Sequence, residues 1–470
     1  MNQKSKWLIF TLLAIAQFMI VLDVSITNVA LVTIKQNLHF SNSSLQWVIT
    51  AYALTFGGFL LLGGRAADLF GRRRTLVIGM VSFTIFSLLI GLSQSSSMLI
   101  VLRALQGLAA ALMSPSALSI VLVTFGEGPE RNKALGYWTL IATGGAAMGL
   151  LLGGVLTQFL GWRWDFFVNV PIGILVAIGI LKNVPAHEKE ATHNNLDLPG
   201  AILVTGGLIT LVYALSQGPV WGWLNSSLLL TIAAAIVLLI AFIFNESKTR
   251  YPLMPLTIFK IRNVTGANVI MAPIYAGMLG MFFITSLYIQ SILNYSPVLT
   301  GLSFLPFPII LAFVSTRVPR FVSRIGYKPF LIAGPLLIAI AIAWLSRLPV
   351  HGTYLIDVLP TLLVMPIGVG MTFMPIIAAA TSGVPPQQAG LASGLISTSQ
   401  QMGGALGLAV ISGIAASVTA SATHLEKTAA LVSGYDRAFL VAVGFVLFAL
   451  LLAITVIKQT PKQTTTPAKN

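Results

Sequence analysis

Two charged side chains stand within long apolar stretches, and they are the first candidates for chemistry. The acid is Asp23, which is followed four residues later by Thr27 and has Asn28 nearby, among mostly aliphatic neighbours. A carboxyl group surrounded by hydrocarbon resists ionisation, and a nearby cation favours ionisation again. Such an acid can gain and lose a proton as its surroundings change. We therefore expect proton binding and release at Asp23, with Thr27 and Asn28 lining a polar cavity.

The base is Arg103, and Gln106 follows it at helical spacing as a further candidate for lining the cavity. A guanidinium group stays charged, so it must face an anion, a carbonyl oxygen or a wet cavity. Two interpretations of Asp23 remain open. Either it titrates or contacts a substrate, or it forms a permanent ion pair with Arg103 that holds two helices together. Functional and structural roles are both open for Arg103, and they are compatible.

A short basic segment at residues 64–74 contains Asp68, Gly71, Arg72 and Arg73. The aspartate can cap or face the N-terminus of a neighbouring helix. The arginines can pair with it and with lipid headgroups. We interpret these four residues as a conformational latch, and the alternative is a plain anchor that fixes the orientation of the chain.

Two glycine-rich segments indicate close helix packing, because small residues four apart let helices approach one another. The first segment is predicted to form a packing or hinge surface from Gly145, Gly149, Gly153 and Gly154. The second, at residues 390–407, interleaves glycines with polar side chains. Two of those side chains, Gln400 and Gln401, are candidates for lining a cavity.

Catalysis and metal binding are not expected. The chain has no cysteine, and its five histidines fall in predicted loops. The spacings typical of zinc hydrolases and phosphate-binding loops do not occur in the sequence, and the carboxylates are not clustered. We therefore predict no catalytic residue, no metal site and no cofactor.

The composition places these residues in a membrane. Hydrophobic residues make up 56% of the 470 residues and charged residues 8%, against about 25% charged residues in a soluble domain. Continuous apolar runs of about 20 residues cross a bilayer as helices, and we count about fourteen such runs. The sequence predicts an all-α polytopic membrane protein. The predicted parts are a six-helix bundle at 1–190, an inserted helix pair at 191–260, a second six-helix bundle at 261–457 and a disordered cytoplasmic tail at 458–470.

The net charge of +15 is interpreted as an orientation signal. With the N-terminus in the cytoplasm, the predicted inner segments hold 21 basic residues and the outer segments five. Positive charge favours the cytoplasmic side of a membrane. We therefore expect both termini in the cytoplasm, the lipid bilayer as a partner, no nucleic-acid partner and a monomer.

Five segments together resemble the major facilitator superfamily, specifically its fourteen-helix drug:proton antiporter branch of QacA- and EmrB-like multidrug exporters. They are residues 22–30, 64–76, 103–107, 162–173 and 400–407, and the resemblance covers nearly the whole chain. One departure concerns the fifth span, where Gly149 is followed by Leu150 although the branch has a Gly-Pro pair.

The resemblance implies alternating access between two bundles around a central cavity, powered by a proton gradient across the cytoplasmic membrane of a bacterium. Asp23 would be the proton-titrating and substrate-facing acid, Arg103 would tune it, and Asp68 with its arginines would latch one conformation. The implied function is drug:proton antiport, the export of lipophilic compounds that are cationic or neutral. The alternatives are export of an endogenous lipid, siderophore or metabolite and, more distantly, a non-transporting sensor or scaffold.

Overall fold

The computed structural model describes residues 3–41, 44–125, 129–185, 197–250, 252–381, 384 and 389–457. Every regular element in these ranges is helical. The predicted disordered tail at 458–470 and the predicted boundary between residues 190 and 191 lie outside the described residues.

Sixteen α-helices occupy the described part of the chain, with a 3-10 turn at Leu256–Lys260 and a π-type turn at Tyr354–Val358. The first nine are α1 (Gln3–Asn37), α2 (Trp47–Phe70), α3 (Arg72–Gly91), α4 (Ser96–Thr124), α5 (Pro129–Phe159), α6 (Trp164–Phe167), α7 (Asn169–Asn183), α8 (Leu198–Trp221) and α9 (Ser226–Lys248). The other seven are α10 (Arg262–Ser291), α11 (Pro297–Phe304), α12 (Pro306–Ile325), α13 (Lys328–Leu345), α14 (Leu359–Thr381), α15 (Ala389–Ser421) and α16 (Lys427–Thr455).

These helices confirm the predicted polytopic membrane fold. Within the described ranges, thirteen helical segments are long and apolar enough to cross a membrane, and Gly144–Phe159 of α5 is a shorter apolar helix. One of these thirteen segments, Trp164–Asn183, consists of α6 and α7 together. Large apolar side chains remain exposed on the outer faces of the helices, most extensively on α9. In a bilayer those faces contact lipid.

The helices pack as an N-terminal group, α1–α7, and a C-terminal group, α10–α16. The pair α8 and α9 packs against both groups, and α8 lies between α2 and α15. The contact is close because small residues face α8 from both sides. A side chain at Gly58 of α2 would collide with Thr205 of α8, and one at Gly413 of α15 would lie 3.2 Å from the Leu215 carbonyl oxygen.

The two groups are joined at the end where α1, α5 and α10 terminate, which we call the closed end. The Ser286 hydroxyl donates to the Asn28 carbonyl oxygen at 2.9 Å, and the Gln290 amide donates to the Val29 carbonyl oxygen at 3.1 Å. Nearby, the Val298 backbone N–H donates to Oε1 of Gln158 at 3.2 Å. These bonds and the apolar cluster around them hold α1 and α5 against α10 and α11.

Candidate functional site

The site is centred on an ion pair buried among α1, α2, α4 and α7. Asp23 is 0% exposed and Arg103 is 1% exposed. The two side chains meet directly, with Arg103 Nη1 donating to Asp23 Oδ2 at 2.5 Å. The structure therefore brings together the acid and the base that the sequence singled out.

Neutral groups complete the coordination of the Asp23 carboxylate. Gln106 Nε2 donates to Asp23 Oδ1 at 2.9 Å and also to Ser87 Oγ at 2.9 Å. Asn169 Nδ2, from the start of α7, approaches the same carboxylate oxygen at 3.4 Å. The carboxylate therefore accepts hydrogen bonds from α4 and α7 while its own backbone belongs to α1.

Arg103 has partners other than the acid. Its Nε donates to the Val48 carbonyl oxygen at 2.9 Å, and its Nη1 donates to Gln106 Oε1 at 2.6 Å. Its guanidinium carbon lies 4.4 Å from the centre of the Tyr52 ring and 5.8 Å from that of Phe166. Cation–π contacts of this kind stabilise a charge that has been removed from water.

Local sequence explains how these groups meet. Arg103 and Gln106 are one turn apart on α4, so both side chains point to the same face. A side chain at Gly107 would collide with the Tyr52 carbonyl oxygen, so this glycine permits α4 to lie against α2. That approach places Arg103 over the Tyr52 ring.

The other cavity candidates are dispersed. The Thr27 hydroxyl donates to the Asp23 backbone carbonyl at 2.7 Å, and Asn28 Nδ2 donates to the Val24 carbonyl at 3.0 Å. Both side chains therefore bond within α1. In α15, Gln400 is half-buried, and Gln401 packs against α2, where a side chain at Gly57 would lie 2.7 Å from its Cβ.

The predicted latch residues surround the turn between α2 and α3. Arg72 Nη2 lies 4.0 Å from Asp68 Oδ1, and Arg73 Nη2 donates to the Leu181 carbonyl of α7 at 2.5 Å. Gly71 between them has φ +93°, a backbone conformation that favours glycine. The turn therefore connects three helices of the N-terminal group.

The glycines predicted to form a packing surface lie along two interfaces of α5. Gly145, Gly149 and Gly153 face α1, where a side chain at Gly149 would lie 2.6 Å from Ser25 Cβ. A side chain at Gly154 would lie 2.7 Å from the Pro297 carbonyl oxygen at the closed end. The α5 backbone therefore contacts both groups of helices.

Sequence reasoning missed a second deeply buried acid, Asp165. The sequence analysis singles out Asp23 as the acid within an apolar stretch, but Asp165 is also 0% exposed. The acids Asp197 and Glu246 are also buried, where α8 begins and α9 ends. Of the two aromatic neighbours of Asp165, Phe166 is 0% exposed and Trp164 is 46% exposed, so the sequence offered no clear signal of burial.

Known proteins resemble this chain over nearly its full length. Residues 13–408 match the profile of the Major Facilitator Superfamily. The chain is 37% identical over 452 residues to the puromycin resistance protein pur8 of Streptomyces alboniger, covering 95% of this chain and 90% of that protein. It is 38% identical over 442 residues to the cephamycin export protein CmcT of Amycolatopsis lactamdurans, covering 93% and 89%.

Two solved structures share the fold at low sequence identity. The POT family transporter PepTSo matches with a TM-score of 0.69 and 14% identity, covering 97% of this chain and 99% of that one. A bacterial homologue of the human lysosomal transporter Spinster, in an inward-facing and unoccupied conformation, matches with a TM-score of 0.69 and 16% identity, covering 98% and 100%.

Proposed function

Because the chain belongs to the Major Facilitator Superfamily, we propose that it exports lipophilic compounds by exchanging them for protons. It is a multi-pass membrane transporter and not an enzyme. The observation that carries the proposal of proton exchange is the buried Asp23–Arg103 pair. Two of the relatives are named for puromycin resistance and for cephamycin export, which supports drug-like compounds as the substrates.

The hydrogen bonds of Arg103 explain how the pair could separate and re-form. If Asp23 takes up a proton, the guanidinium loses its anion but keeps the Val48 carbonyl oxygen, the Gln106 amide oxygen and the Tyr52 ring. An unpaired buried charge is costly unless other groups solvate it. These neutral groups lower that cost, so the site can hold Asp23 in either protonation state.

The charge of the site favours substrates that are neutral or carry one positive charge. The pair is neutral when Asp23 is ionised and carries +1 when Asp23 is protonated. A cationic substrate and a proton would therefore compete for the same carboxylate, which is the requirement for exchange. Divalent cations would need a second negative charge at this pair.

We further propose that the N-terminal and C-terminal groups are the two bundles of an alternating-access transporter with both termini in the cytoplasm. With that orientation, the closed end lies on the outer face of the cytoplasmic membrane. The Asp68, Gly71, Arg72 and Arg73 turn would then be cytoplasmic, where a latch could hold one conformation. Since α5 lacks the Gly-Pro pair, Gly149 and Gly153 would serve as the surface on which α1 and α5 move.

The test is transport into inverted membrane vesicles with an imposed proton gradient, using puromycin and a fluorescent lipophilic cation as probes. The wild-type protein should accumulate a probe, and dissipation of the gradient should release it. Asp23→Asn should abolish accumulation, and Asp23→Glu should retain part of it. Normal accumulation by Asp23→Asn would refute proton coupling at this residue. Accumulation of neither probe by the wild-type protein would favour an endogenous lipid, siderophore or metabolite as the substrate.

A further inference from the structure

Asp165, the second buried acid of the N-terminal group, has few partners. It lies in α6, at the break between α5 and α7, and is 0% exposed. The Thr157 hydroxyl on α5 donates to Asp165 Oδ2 at 2.6 Å. Its other oxygen, Oδ1, is buried and has no hydrogen-bond partner among the described residues.

The contrast with Asp23 is large, because Asp23 has an arginine and two amides around it. The arginine nearest to Asp165 in sequence, Arg163, is engaged elsewhere. Its guanidinium carbon lies 4.5 Å from the centre of the Trp162 ring, and its Nη2 donates to the Ser93 carbonyl oxygen at 3.2 Å. In the part of the chain that the structure describes, Asp165 therefore has no cation to balance a negative charge.

An ionised carboxylate would be unstable in this position. An unpaired carboxylate is strongly destabilised when it is removed from water, and one hydrogen bond from a threonine hydroxyl offsets only part of that cost. Asp23 on α1 is paired with Arg103, so it offers Asp165 no positive charge. A bound metal ion is not a substitute, because hard cations prefer about six or more oxygen ligands and the described residues contain no group of three or more His, Cys, Asp or Glu side chains that could hold a metal ion. A proton neutralises the group without further ligands.

We propose that Asp165 is a second proton-binding site, distinct from the Asp23–Arg103 pair. It carries a proton in the conformation in which the two groups of helices are joined at the closed end. Protonation adds one hydrogen to a carboxylate oxygen and changes no other covalent bond. In the alternative conformation the two groups of helices separate at this end and water reaches Asp165. The proton is taken from that water before closure and returns to it when the groups separate again.

The position of Thr157 links this proton to closure. On α5, Thr157 lies between Gly154, which packs against the Pro297 backbone, and Gln158, which accepts from the Val298 N–H. The residue that binds Asp165 therefore belongs to the segment that joins the two groups of helices. Closure of this end needs a neutral Asp165, so a low pH on that side favours the closed conformation.

The proton itself can be detected without any substrate. The probe is the infrared C=O stretching band of carboxylic acids, recorded for the full chain in lipid bilayers at neutral pH. The spectrum of Asp165→Asn, an isosteric change, should lack one carboxylic acid band that the wild-type protein shows. Asp23→Asn should retain that band. An Asp165→Asn spectrum that loses only a carboxylate band would overturn the proposal.

A second variant keeps the test decisive if Asp165→Asn folds poorly. Thr157→Val preserves the shape of the side chain but removes the hydroxyl, so the carboxylic acid band should shift in frequency as its hydrogen bond is lost. A matched control is Thr231→Val, since the Thr231 hydroxyl on α9 donates to the Ser227 carbonyl oxygen of its own helix. An unshifted spectrum for Thr157→Val would also overturn the proposal.

The link to transport rests on the proposed function, and it is tested separately. In vesicles of defined orientation, the transport rate of the wild-type protein should depend on the pH at the closed end. Asp165→Asn should show a weaker dependence on that pH, because closure no longer needs a proton. Equal pH dependence in both would refute the link. Absence of transport by the wild-type protein would refute the proposed function and leave the infrared result unaffected.

Discussion

Replacement of Arg103 by leucine is expected to destabilise the protein by about 3–5 kcal/mol, the usual cost of leaving one partner of a buried ion pair uncompensated. The hydrogen bonds that Asp23 would keep place the expected loss of unfolding free energy near the lower limit of this range. Asp23 would keep its hydrogen bonds from Gln106 at 2.9 Å and from Asn169 at 3.4 Å. Hydrogen bonds to a charged group contribute about 1.5–3 kcal/mol each when their geometry is good.

The double variant Asp23→Asn/Arg103→Leu separates structure from function. Both charges are then absent, so we expect most of the stability to return, with a coupling free energy of about 3 kcal/mol between the two positions. The wild-type protein, the two single variants and the double variant form a double-mutant cycle. Their unfolding by denaturant in micelles can be compared by tryptophan fluorescence. The double variant should fold but should not transport against a proton gradient.

Two results would refute this reasoning. If Arg103→Leu unfolded at the denaturant concentration of the wild-type protein, the pair would not be buried as described. If the double variant transported like the wild-type protein, the pair would have only the structural role that the sequence left open.

Three further predictions concern packing, the closed end and the latch. Gly153→Ala should cost about 1–3 kcal/mol of unfolding free energy, because its Cβ would lie 2.9–3.1 Å from atoms of Ile26. The control Gly206→Ala, with nothing within 4 Å, should be neutral or stabilising, and equal effects would contradict the packing argument. Gln290→Ala removes the bond to the Val29 carbonyl oxygen, so a single cysteine at position 29 should react several-fold faster with a membrane-impermeant maleimide. Substitution of exposed Gln36 by alanine should leave that rate unchanged, and an unaltered rate in Gln290→Ala would show that this bond does not hold the end closed. Arg73→Leu removes the donor to the Leu181 carbonyl oxygen and should slow transport several-fold while costing no more than about 1 kcal/mol of stability. Exposed Arg74 is the matched control, and equal transport by Arg73→Leu and Arg74→Leu would argue against a latch at Arg73.

The membrane-spanning helices could be predicted because a bilayer requires long apolar runs, and such runs are visible in a sequence. The pairing of Asp23 with Arg103 could be anticipated for a similar reason. Two opposite charges in hydrocarbon are far more stable together than apart. The approach of Asn169 to Asp23 could not be anticipated, because nothing in the sequence around Asn169 indicates that it faces α1.

The burial of Asp165 was missed because hydropathy indicates how long an apolar run is. It does not indicate which side chains face neighbouring helices. The chain breaks at residues 160–163 and again at Val168, and between these turns Asp165 and Phe166 of α6 are buried while Trp164 is 46% exposed. Gln400 and Gln401 illustrate a second limit. They are adjacent in sequence, but a helix turns by about 100° per residue, so their side chains point in different directions and only Gln401 is placed against Gly57 of α2. Which helices become neighbours is set by packing across the whole chain.

The position of α8 between α2 and α15 has a consequence for the order of assembly during synthesis. The ribosome makes α2 and α8 early and α15 near the end. Leu215 on one side of α8 meets Gly413 of α15. This side of α8 therefore lacks its final neighbour in the membrane until α15 has been inserted. Lipid or an insertion factor would cover that side in the interval. A chain released before α15 would retain a vacant groove there, and such a fragment is a natural target for membrane proteases.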